Sequence, residues 1–464
     1  MSKRITDWDP EDVAAWEAGN KYVARRNLIW SVVAEHIGFS VWSLWSVMVL
    51  FMPESVYHFS AGDKFLLGAT ATLVGACLRI PYTLATATFG GRNWTVFSAF
   101  VLLIPTVGTM WLLAHPGLPL WPYLVCAALT GLGGGNFASS MTNINAFYPQ
   151  RLKGWALGIN AGGGNIGVPM VQIVGLLVIA TLGNRQPYWV CAVYLVALAV
   201  AGIGAALYMD NLEQHKIDLT AMGAILKVRD TWVISLLYIG TFGSFIGFAF
   251  AFAQVLQINF AAGGQSAASA SLHAAQIAFV GPLLGSLSRV YGGKLADRVG
   301  GGRVTLAVFA GMIFGAGILV AVSTLDDHTK GAATGAMMTG YVVGFIVLFL
   351  LSGIGNGSVY KMIPSIFEAR SRSLTVPEAD RVAWSRAMSG ALIGFAGAIG
   401  ALGGVGINMA LRQSYLSSHS ATAAFWIFLA FYVVACAVTW AMYVRRPVSA
   451  PVGSAEPATD LARA

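Results

Sequence analysis

The chain has 464 residues, of which 56% are hydrophobic and only 10% are charged, and its mean hydropathy is +0.68. This composition excludes a soluble globular protein and predicts a protein that crosses the lipid bilayer many times. The net charge of +8 does not indicate nucleic-acid binding, because Lys and Arg stand in short loops between apolar segments. The four cysteines match neither a metal-binding spacing nor a disulfide framework, so we expect no metal and no other cofactor.

Residues 1–27 form a polar segment ahead of the first apolar stretch. Pro10, followed by two carboxylates, predicts the start of a short helix. Trp8 and Trp16 predict that this helix lies at the membrane surface. The segment does not have the pattern of a signal peptide, and we expect it to be cytoplasmic.

Apolar segments then recur along the chain and predict an all-α membrane protein with twelve transmembrane helices. Their approximate bounds are 28–51, 64–87, 95–114, 121–147, 153–181, 187–209, 232–256, 270–296, 303–324, 337–367, 387–411 and 421–444. The predicted units are an N-terminal six-helix half (28–209), a central cytoplasmic loop (210–231) and a C-terminal six-helix half (232–444). Residues 445–464 are rich in Ala, Pro and Ser, which predicts a disordered cytoplasmic tail.

Basic residues are unevenly shared between the two sets of loops. If both termini are inside, twenty-one Lys and Arg lie on the inner side, four lie in outer loops, and three lie within the membrane, namely Arg79, Arg289 and Lys361. Cytoplasmic loops carry an excess of Lys and Arg. The asymmetry therefore predicts that both termini are cytoplasmic.

Arg79 in the second span and Arg289 in the eighth stand in similar contexts. Each has Gly four residues before it and precedes a glycine turn, at Gly90 or Gly300, by eleven residues. Eleven helical residues rise roughly 16 Å, about half of the ~30 Å hydrocarbon core, so both charges should lie near the midplane. Backbone carbonyls that satisfy a structural arginine are one explanation. The repeated context favours a functional anion site between two pseudo-symmetric halves.

Glycine-rich stretches also recur in the two halves. Asn136 in the fourth span and Asn356 in the tenth follow closely spaced glycines, and the fifth and eleventh spans carry glycines three or four residues apart. Most of these glycines are explained by close helix packing. Asn160 and Asn165, on either side of Gly163, predict in addition a narrow polar groove that suits a small ligand.

The eighth span ends in Gly292-Gly-Lys-Leu-Ala-Asp297-Arg298. This run resembles the loop motif of the major facilitator superfamily, in which an Asp–Arg pair can latch the cytoplasmic ends of two helices. The first-half copy, around Arg92, lacks the Asp. A basic turn at the inner face is the alternative, but it does not explain the spacing of Gly, Asp and Arg.

Arg79, Arg289, the run 136–140 and the run 162–167, together with the opening run 5–8, resemble the nitrate/nitrite porter family of the major facilitator superfamily. The similarity covers nearly the whole chain. It implies a twelve-helix fold in which both arginines bind one nitrate or nitrite. The further residues that it places at the site are Phe137, Asn165, Tyr238 and Phe242. The chemistry agrees, because a guanidinium offers forked donors to an oxyanion and aromatic walls suit a flat one.

Glu35 and Lys361 depart from the exchanger-type members of that family, which carry an apolar residue near the first position and Gln at the second. Both lie in the inner half of the membrane, roughly 10–14 Å from the cytoplasmic ends by helical rise. We therefore expect them to pair across the cavity. The pair is either static, with Lys361 free to reach the interface, or a proton-linked gate, which favours nitrate/proton symport.

The predicted function is a secondary transporter of the cytoplasmic (inner) membrane that moves nitrate, and also nitrite, by alternating access, for respiration or for nitrate assimilation. A nitrate/nitrite antiporter and a porter of another small anion, such as a carboxylate or a phosphate ester, stay open. No nucleophile–base pair or nucleotide loop predicts an enzyme. The expected partners are nitrate, nitrite, protons and the lipid bilayer, without nucleic acid, and we expect a monomer.

Overall fold

The computed structural model describes residues 4–213, 219–329 and 333–445, most of which are helical. The tail predicted for 445–464 lies outside these residues, apart from Arg445. In the first part of the chain the helices are α1 Val13–Ala15, α2 Lys21–Trp42, α3 Trp45–Met48, α4 Glu54–Tyr57, α5 Ala61–Cys77, α6 Arg79–Phe89, α7 Gly91–Val101, α8 Leu103–Ala114, α9 Leu120–Thr130, α10 Leu132–Phe147, α11 Gln150–Leu182 and α12 Tyr188–Tyr208.

The second part of the chain continues in the same way. Its helices are α13 Leu219–Ala224, α14 Arg229–Tyr238, α15 Ser244–Ala262, α16 Ala267–Ala278, α17 Val280–Val299, α18 Gly301–His328, α19 Gly335–Ser371, α20 Glu378–Ser418 and α21 Thr422–Thr439. Shorter helical turns join or extend them, of the π type at Trp16–Asn20, Ile239–Gly243 and Trp440–Val444 and of the 3-10 type at Val49–Phe51 and Ile225–Lys227.

The described residues include ten helices that are long and apolar enough to cross a membrane, or eleven when α5 and α6 count as one span bent by 42°. The segment predicted as the fourth span is present as α9 and α10. It is not among the eleven, since the glycines and asparagines around Asn136 make it less apolar. The predicted all-α membrane architecture is confirmed, while the number of twelve spans and the cytoplasmic termini stay predictions.

Proline explains the breaks within three of the predicted spans. The break at Leu78, between α5 and α6, lies three residues before Pro81. Proline has no N–H, so the carbonyl of Cys77, four residues earlier, loses its helical partner. This break puts Arg79 at the first residue of α6. The same spacing recurs at Leu102 with Pro105 and at Phe279 with Pro282.

The segment ahead of α2 packs against the adjoining end of the helix bundle. Its strand β1, Arg4–Ile5, pairs in parallel with β2, Asn211–Leu212, which follows α12. The ring of Trp8 meets that of Phe147 edge-on at 5.3 Å. The helix predicted near Pro10 is only the three-residue α1. The start of the chain is thereby joined to the ends of α10 and α12.

Polar contacts between the two parts of the chain gather at the end of the bundle away from the N terminus. Gln254 donates to the carbonyl of Ala61 at 2.8 Å, and Gln257 and Ser271 donate to the carbonyl of Leu50 at 3.1 and 2.7 Å. At the opposite end, α11 and α20 are open. Glycines there at which an added Cβ would meet no atom within 4 Å include Gly154, Gly158, Gly390 and Gly394.

Candidate functional site

Arg79 lies in the interior of the bundle, with a side chain that is only 1% exposed. Its Nη1 donates to the carbonyl of Gly397 in α20 at 3.0 Å, which joins the two parts of the chain. Its guanidinium carbon lies 4.8 Å from the ring centre of Phe137 and 4.7 Å from that of Phe242. Its Nε and Nη2 are buried without a hydrogen-bond partner among the described residues. Two donors are therefore available to an anion.

Arg289, in α17, approaches the same aromatic ring from the other part of the chain. Its guanidinium carbon lies 5.7 Å from the ring centre of Phe137 and 5.3 Å from that of Tyr360. Within the described residues, its Nη1 is buried and unpartnered. Both cations lie against Phe137, and no carboxylate of the described residues forms a salt bridge to either. They are the dominant electrostatic feature of this region.

Stacked rings form one wall beside the arginines. Tyr238 lies between Tyr360, at 4.5 Å and 20°, and Phe242, at 5.2 Å and 7°. Phe242 in turn lies 6.4 Å from Phe137. Phe242 lies within the π turn Ile239–Gly243, which directly follows Tyr238 at the end of α14, and π turns are frequent at functional sites. Tyr238 and Phe242 are fully buried, and the near-parallel rings form a flat wall that suits a planar ligand.

Asn165, in α11, reaches this region next to α17. Its carbonyl has no helical donor, because the residue four positions later is Pro169. The Oγ of Ser286, one turn before Arg289, lies 3.2 Å from that carbonyl and 2.7 Å from the carbonyl of Pro282, so one hydroxyl hydrogen is shared. The amide of Asn165 is buried with no partner among the described residues. It is available to a ligand, and ligand binding is the role that the sequence predicts for it.

Gly163 and Asn160, also in α11, face α2. The carbonyl of Gly163 lies 3.1 Å from Nδ1 of His36, and an added Cβ would collide with Val32. Gly163, predicted to contact substrate, therefore serves the packing of α11 on α2. Asn160 donates through Nδ2 to Glu35 at 2.6 Å. It belongs to a carboxylate cluster and not to the aromatic wall.

Glu35 is 1% exposed and is held by neutral donors. Its Oε2 accepts hydrogen bonds from Ser140 Oγ and Asn160 Nδ2, and Asn160 Nδ2 also donates to Ser140 Oγ at 2.8 Å. Its Oε1 has no partner among the described residues. The predicted pair of Glu35 with Lys361 is absent from this conformation, so that expectation was wrong here.

Lys361 points away from Glu35, toward the open end of the bundle. Its Nζ lies 2.9 Å from Oδ1 of Asp297, and the two side chains are 47% and 56% exposed. Asp297 thus joins α17 to α19 through a lysine, and Arg298 is exposed. The latch predicted for Asp297 and Arg298 is therefore a pair of Asp297 and Lys361 in this conformation.

The sequence-based site misses Tyr360 and the carbonyl of Gly397. Tyr360 contacts Arg289, stacks on Tyr238 and donates from its hydroxyl to the carbonyl of Ile393 in α20 at 3.3 Å. A charged residue such as Lys361 is unusual within a membrane span, whereas a tyrosine such as Tyr360 is common there and gives no signal of its own. Its spacing of four residues from Asn356 was the available signal.

Corresponding positions in the two parts of the chain surround the arginines. Glu35 in α2 corresponds to Tyr238 in α14. Each is followed four residues later by a phenylalanine of the ring cluster, Phe39 or Phe242. Phe39 stacks on Phe137 at 6.1 Å, and Phe242 lies at a similar distance from the same ring.

The partners of these two side chains also correspond. Ser140 bonds to the carboxylate and Tyr360 stacks on the phenol, each four residues after an asparagine. An added Cβ at Gly164 would collide with the carboxylate, and one at Gly400 would collide with the phenol. The backbone plan is therefore repeated, while one side carries a carboxylate and a hydroxyl and the other carries stacked phenols.

Comparison with known proteins identifies the family of the chain. Residues 36–405 match the model of the Major Facilitator Superfamily. The chain is 37% identical to the Nitrate/nitrite transporter NarU of Escherichia coli (strain K12), over 96% of this chain and 97% of that protein. It is 30% identical to the Nitrite extrusion protein of Bacillus subtilis (strain 168), over 72% of this chain and 78% of that protein.

Solved structures agree on the fold. A crystal structure of a D-xylose-proton symporter is similar with a TM-score of 0.64 and 15% sequence identity, and the match covers 89% of this chain and 96% of the symporter. At this identity the similarity bears on the fold alone.

Proposed function

The chain belongs to the nitrate/nitrite transporter family of the major facilitator superfamily, and on that premise we propose that it carries nitrate, and also nitrite, across the cytoplasmic membrane by alternating access. The observation that carries this proposal is the buried pair Arg79 and Arg289, whose guanidinium groups both lie against the ring of Phe137. Their free N–H groups would bind the oxyanion.

The chemistry of the site favours a small, planar, monovalent anion. A guanidinium offers two parallel donors to an oxyanion, which an ammonium group cannot copy. The stack of Tyr238 on Phe242 leaves a flat wall, and Asn165 adds an amide that has no other partner among the described residues. A phosphate ester is divalent and tetrahedral, so it fits less well against a flat wall than planar nitrate does.

Alternating access follows from the unequal ends of the bundle. The contacts of Gln254, Gln257 and Ser271 close the end that we assign to the outside, and the open ends of α11 and α20 face the cytoplasm. An anion between Arg79 and Arg289 lowers the repulsion between them. The two six-helix halves can then rock together at the cytoplasmic end and part at the other.

Coupling to protons is the mode that we favour. Entry of an anion into a cell opposes the membrane potential by about 2.3 kcal/mol per charge per 100 mV, and a proton that travels with the anion removes that opposition. Exchange of nitrate for nitrite is the second candidate, and the name of the Bacillus subtilis relative, Nitrite extrusion protein, favours it.

Nitrate counterflow in proteoliposomes tests the proposal. Vesicles that contain the purified protein and unlabelled nitrate should take up labelled nitrate, whereas protein-free vesicles should not. Stimulation by an inward proton gradient would support symport, and stimulation by internal nitrite alone would support exchange. Absence of counterflow with both nitrate and nitrite would refute the assignment.

A further inference from the structure

We propose that Glu35, Ser140 and Asn160 form the site that binds the transported proton, an inference that rests on the nitrate transport proposed above. The proton would bind at Oε1 of Glu35, the oxygen that has no partner among the described residues. Ser140 and Asn160 are positioning residues that hold Oε2.

The cluster has the features that a proton site inside a membrane protein requires. Glu35 is buried and, within the part of the chain that the structure describes, forms no salt bridge. An ionised carboxylate without a paired cation is costly in such surroundings. A proton at Oε1 removes that cost, and the two donors can stay on Oε2 without rearrangement.

The charged and titratable groups near the cluster are few. From α6 and α17, Arg79 and Arg289 attract the ionised carboxylate over a distance longer than an ion pair. On α2 itself, His36 turns its Nδ1 to the carbonyl of Gly163. The groups that α10 and α11 present to the carboxylate are the neutral side chains of Ser140 and Asn160.

The cluster is connected to the anion site through two helices. Phe137, which lies against both arginines, precedes Ser140 by one turn of α10, and Ser140 Oγ also lies 3.1 Å from the carbonyl of Phe137. Asn160 precedes Asn165 on α11. An anion bound at the arginines and a proton bound at Glu35 thus both contact residues of α10 and α11.

Charge explains why the two ligands would move together. The empty site has two positive charges, Arg79 and Arg289, and one negative charge, Glu35, which gives a net charge of plus one. Nitrate alone would neutralise it, and a proton on Glu35 would restore plus one. The empty and doubly loaded forms then carry equal charge, so both can reorient across a membrane potential alike. Lys361 and Asp297 cancel each other and do not enter this sum.

The correspondence with Tyr238 supports a role specific to Glu35. The equivalent position in the other half holds a phenol that takes part in a ring stack. An aromatic residue at position 35 would make it equivalent to Tyr238 and would leave this side without a carboxylate. The carboxylate is therefore not required by the helix packing, which the neutral side supports equally well.

The test uses the full-length protein in proteoliposomes with two readouts, nitrate counterflow without a gradient and nitrate accumulation driven by an imposed pH gradient. One pH unit sustains about tenfold accumulation when one proton accompanies each nitrate. Glu35→Gln should keep counterflow and lose accumulation. The matched control His36→Gln, which alters the neighbouring titratable residue, should keep both.

The outcomes separate this inference from the proposed function. If wild-type vesicles show no counterflow, the transport assignment fails. If they show counterflow, and either wild type does not respond to the pH gradient or Glu35→Gln accumulates nitrate as wild type does, only the proton site is overturned. If Glu35→Gln loses counterflow, Glu35→Asp decides: restored accumulation supports a titrating carboxylate, and loss of both readouts assigns Glu35 to structure.

Discussion

On one side of the arginine pair the side chains at corresponding positions are a carboxylate and a hydroxyl, Glu35 and Ser140, and on the other side they are two stacked phenols, Tyr238 and Tyr360. The helices that carry them pack by the same plan, with a glycine of α11 or α20 against each. A phenol keeps its proton at physiological pH, whereas a carboxyl group can take one up and release it. In the mechanism proposed above, one side therefore forms a wall for the anion and the other binds the proton.

Arg79 and Arg289 belong to both sides, so their replacement should have the largest effect. Arg79→Lys keeps the charge but loses the forked donors and the contact with Gly397. Hydrogen bonds to charged groups contribute about 1.5–3 kcal/mol, so we expect roughly 10- to 100-fold weaker nitrate binding by calorimetry. Arg303→Lys, at an exposed position, is the control. Normal binding by Arg79→Lys would contradict the site.

Ser140→Ala tests the carboxylate side. The variant removes one of the two donors to Oε2 of Glu35, and we expect about a tenfold lower initial rate of gradient-driven nitrate uptake, since a hydrogen bond to a charged group is lost. Counterflow should change less. Ser139→Ala is the matched control, because the Ser139 hydroxyl donates to the Asn136 carbonyl instead. Equal losses in both variants would mean that Ser140 has no special role.

Tyr238→Leu tests the phenol side. Stacked aromatic pairs contribute about 0.5–1.5 kcal/mol beyond the area that they bury, which predicts roughly 2- to 10-fold weaker nitrate binding. The stimulation by a pH gradient should stay at the wild-type ratio. Tyr238→Phe keeps the ring and should behave almost as wild type. If Tyr238→Leu changed the stimulation of nitrate uptake by a pH gradient, the assignment of anion binding to one side and proton binding to the other would be contradicted.

Lys361→Met should have the smallest effect. Exposed ion pairs contribute about 0.2–1 kcal/mol, so transport should fall less than about fivefold and its response to the pH gradient should persist. Asp297→Asn removes the other partner and serves for comparison. If Lys361→Met lost proton coupling as Glu35→Gln is expected to, the pair of Glu35 and Lys361 predicted from the sequence would form in another conformation of the cycle.

The sequence predicts depth and spacing well. The two arginines are brought together as expected from their matched depth in repeated halves, and Phe137, Tyr238 and Phe242 lie beside them as the family resemblance implies. The breaks at Leu78, Leu102 and Phe279 could also be predicted, since each lies three residues before a proline. A reading based on hydropathy overlooks them, because proline at these positions hardly changes the mean apolarity.

Side-chain partners are less accessible from sequence. Successive residues of a helix point about 100° apart, so Tyr360 faces Arg289 while Lys361 faces Asp297. The depth of Glu35 and Lys361 was the basis for pairing them, but depth does not fix rotation about the helix axis. Gly397 is a further example, because its backbone carbonyl, and not a side chain, binds Arg79.

Pro169 lowers the energetic cost of breaking the contact between α11 and α17. The carbonyl of Asn165 that it leaves without a helical donor is the one that Ser286 of the other half approaches. Breaking this contact costs α11 none of its own hydrogen bonds, and the shared hydroxyl retains the carbonyl of Pro282. In the alternating-access cycle proposed above, this contact between α11 and α17 would open and close at a cost of about one weak neutral hydrogen bond, roughly 0.5–1.5 kcal/mol, while the helix that carries the amide of Asn165 stays intact.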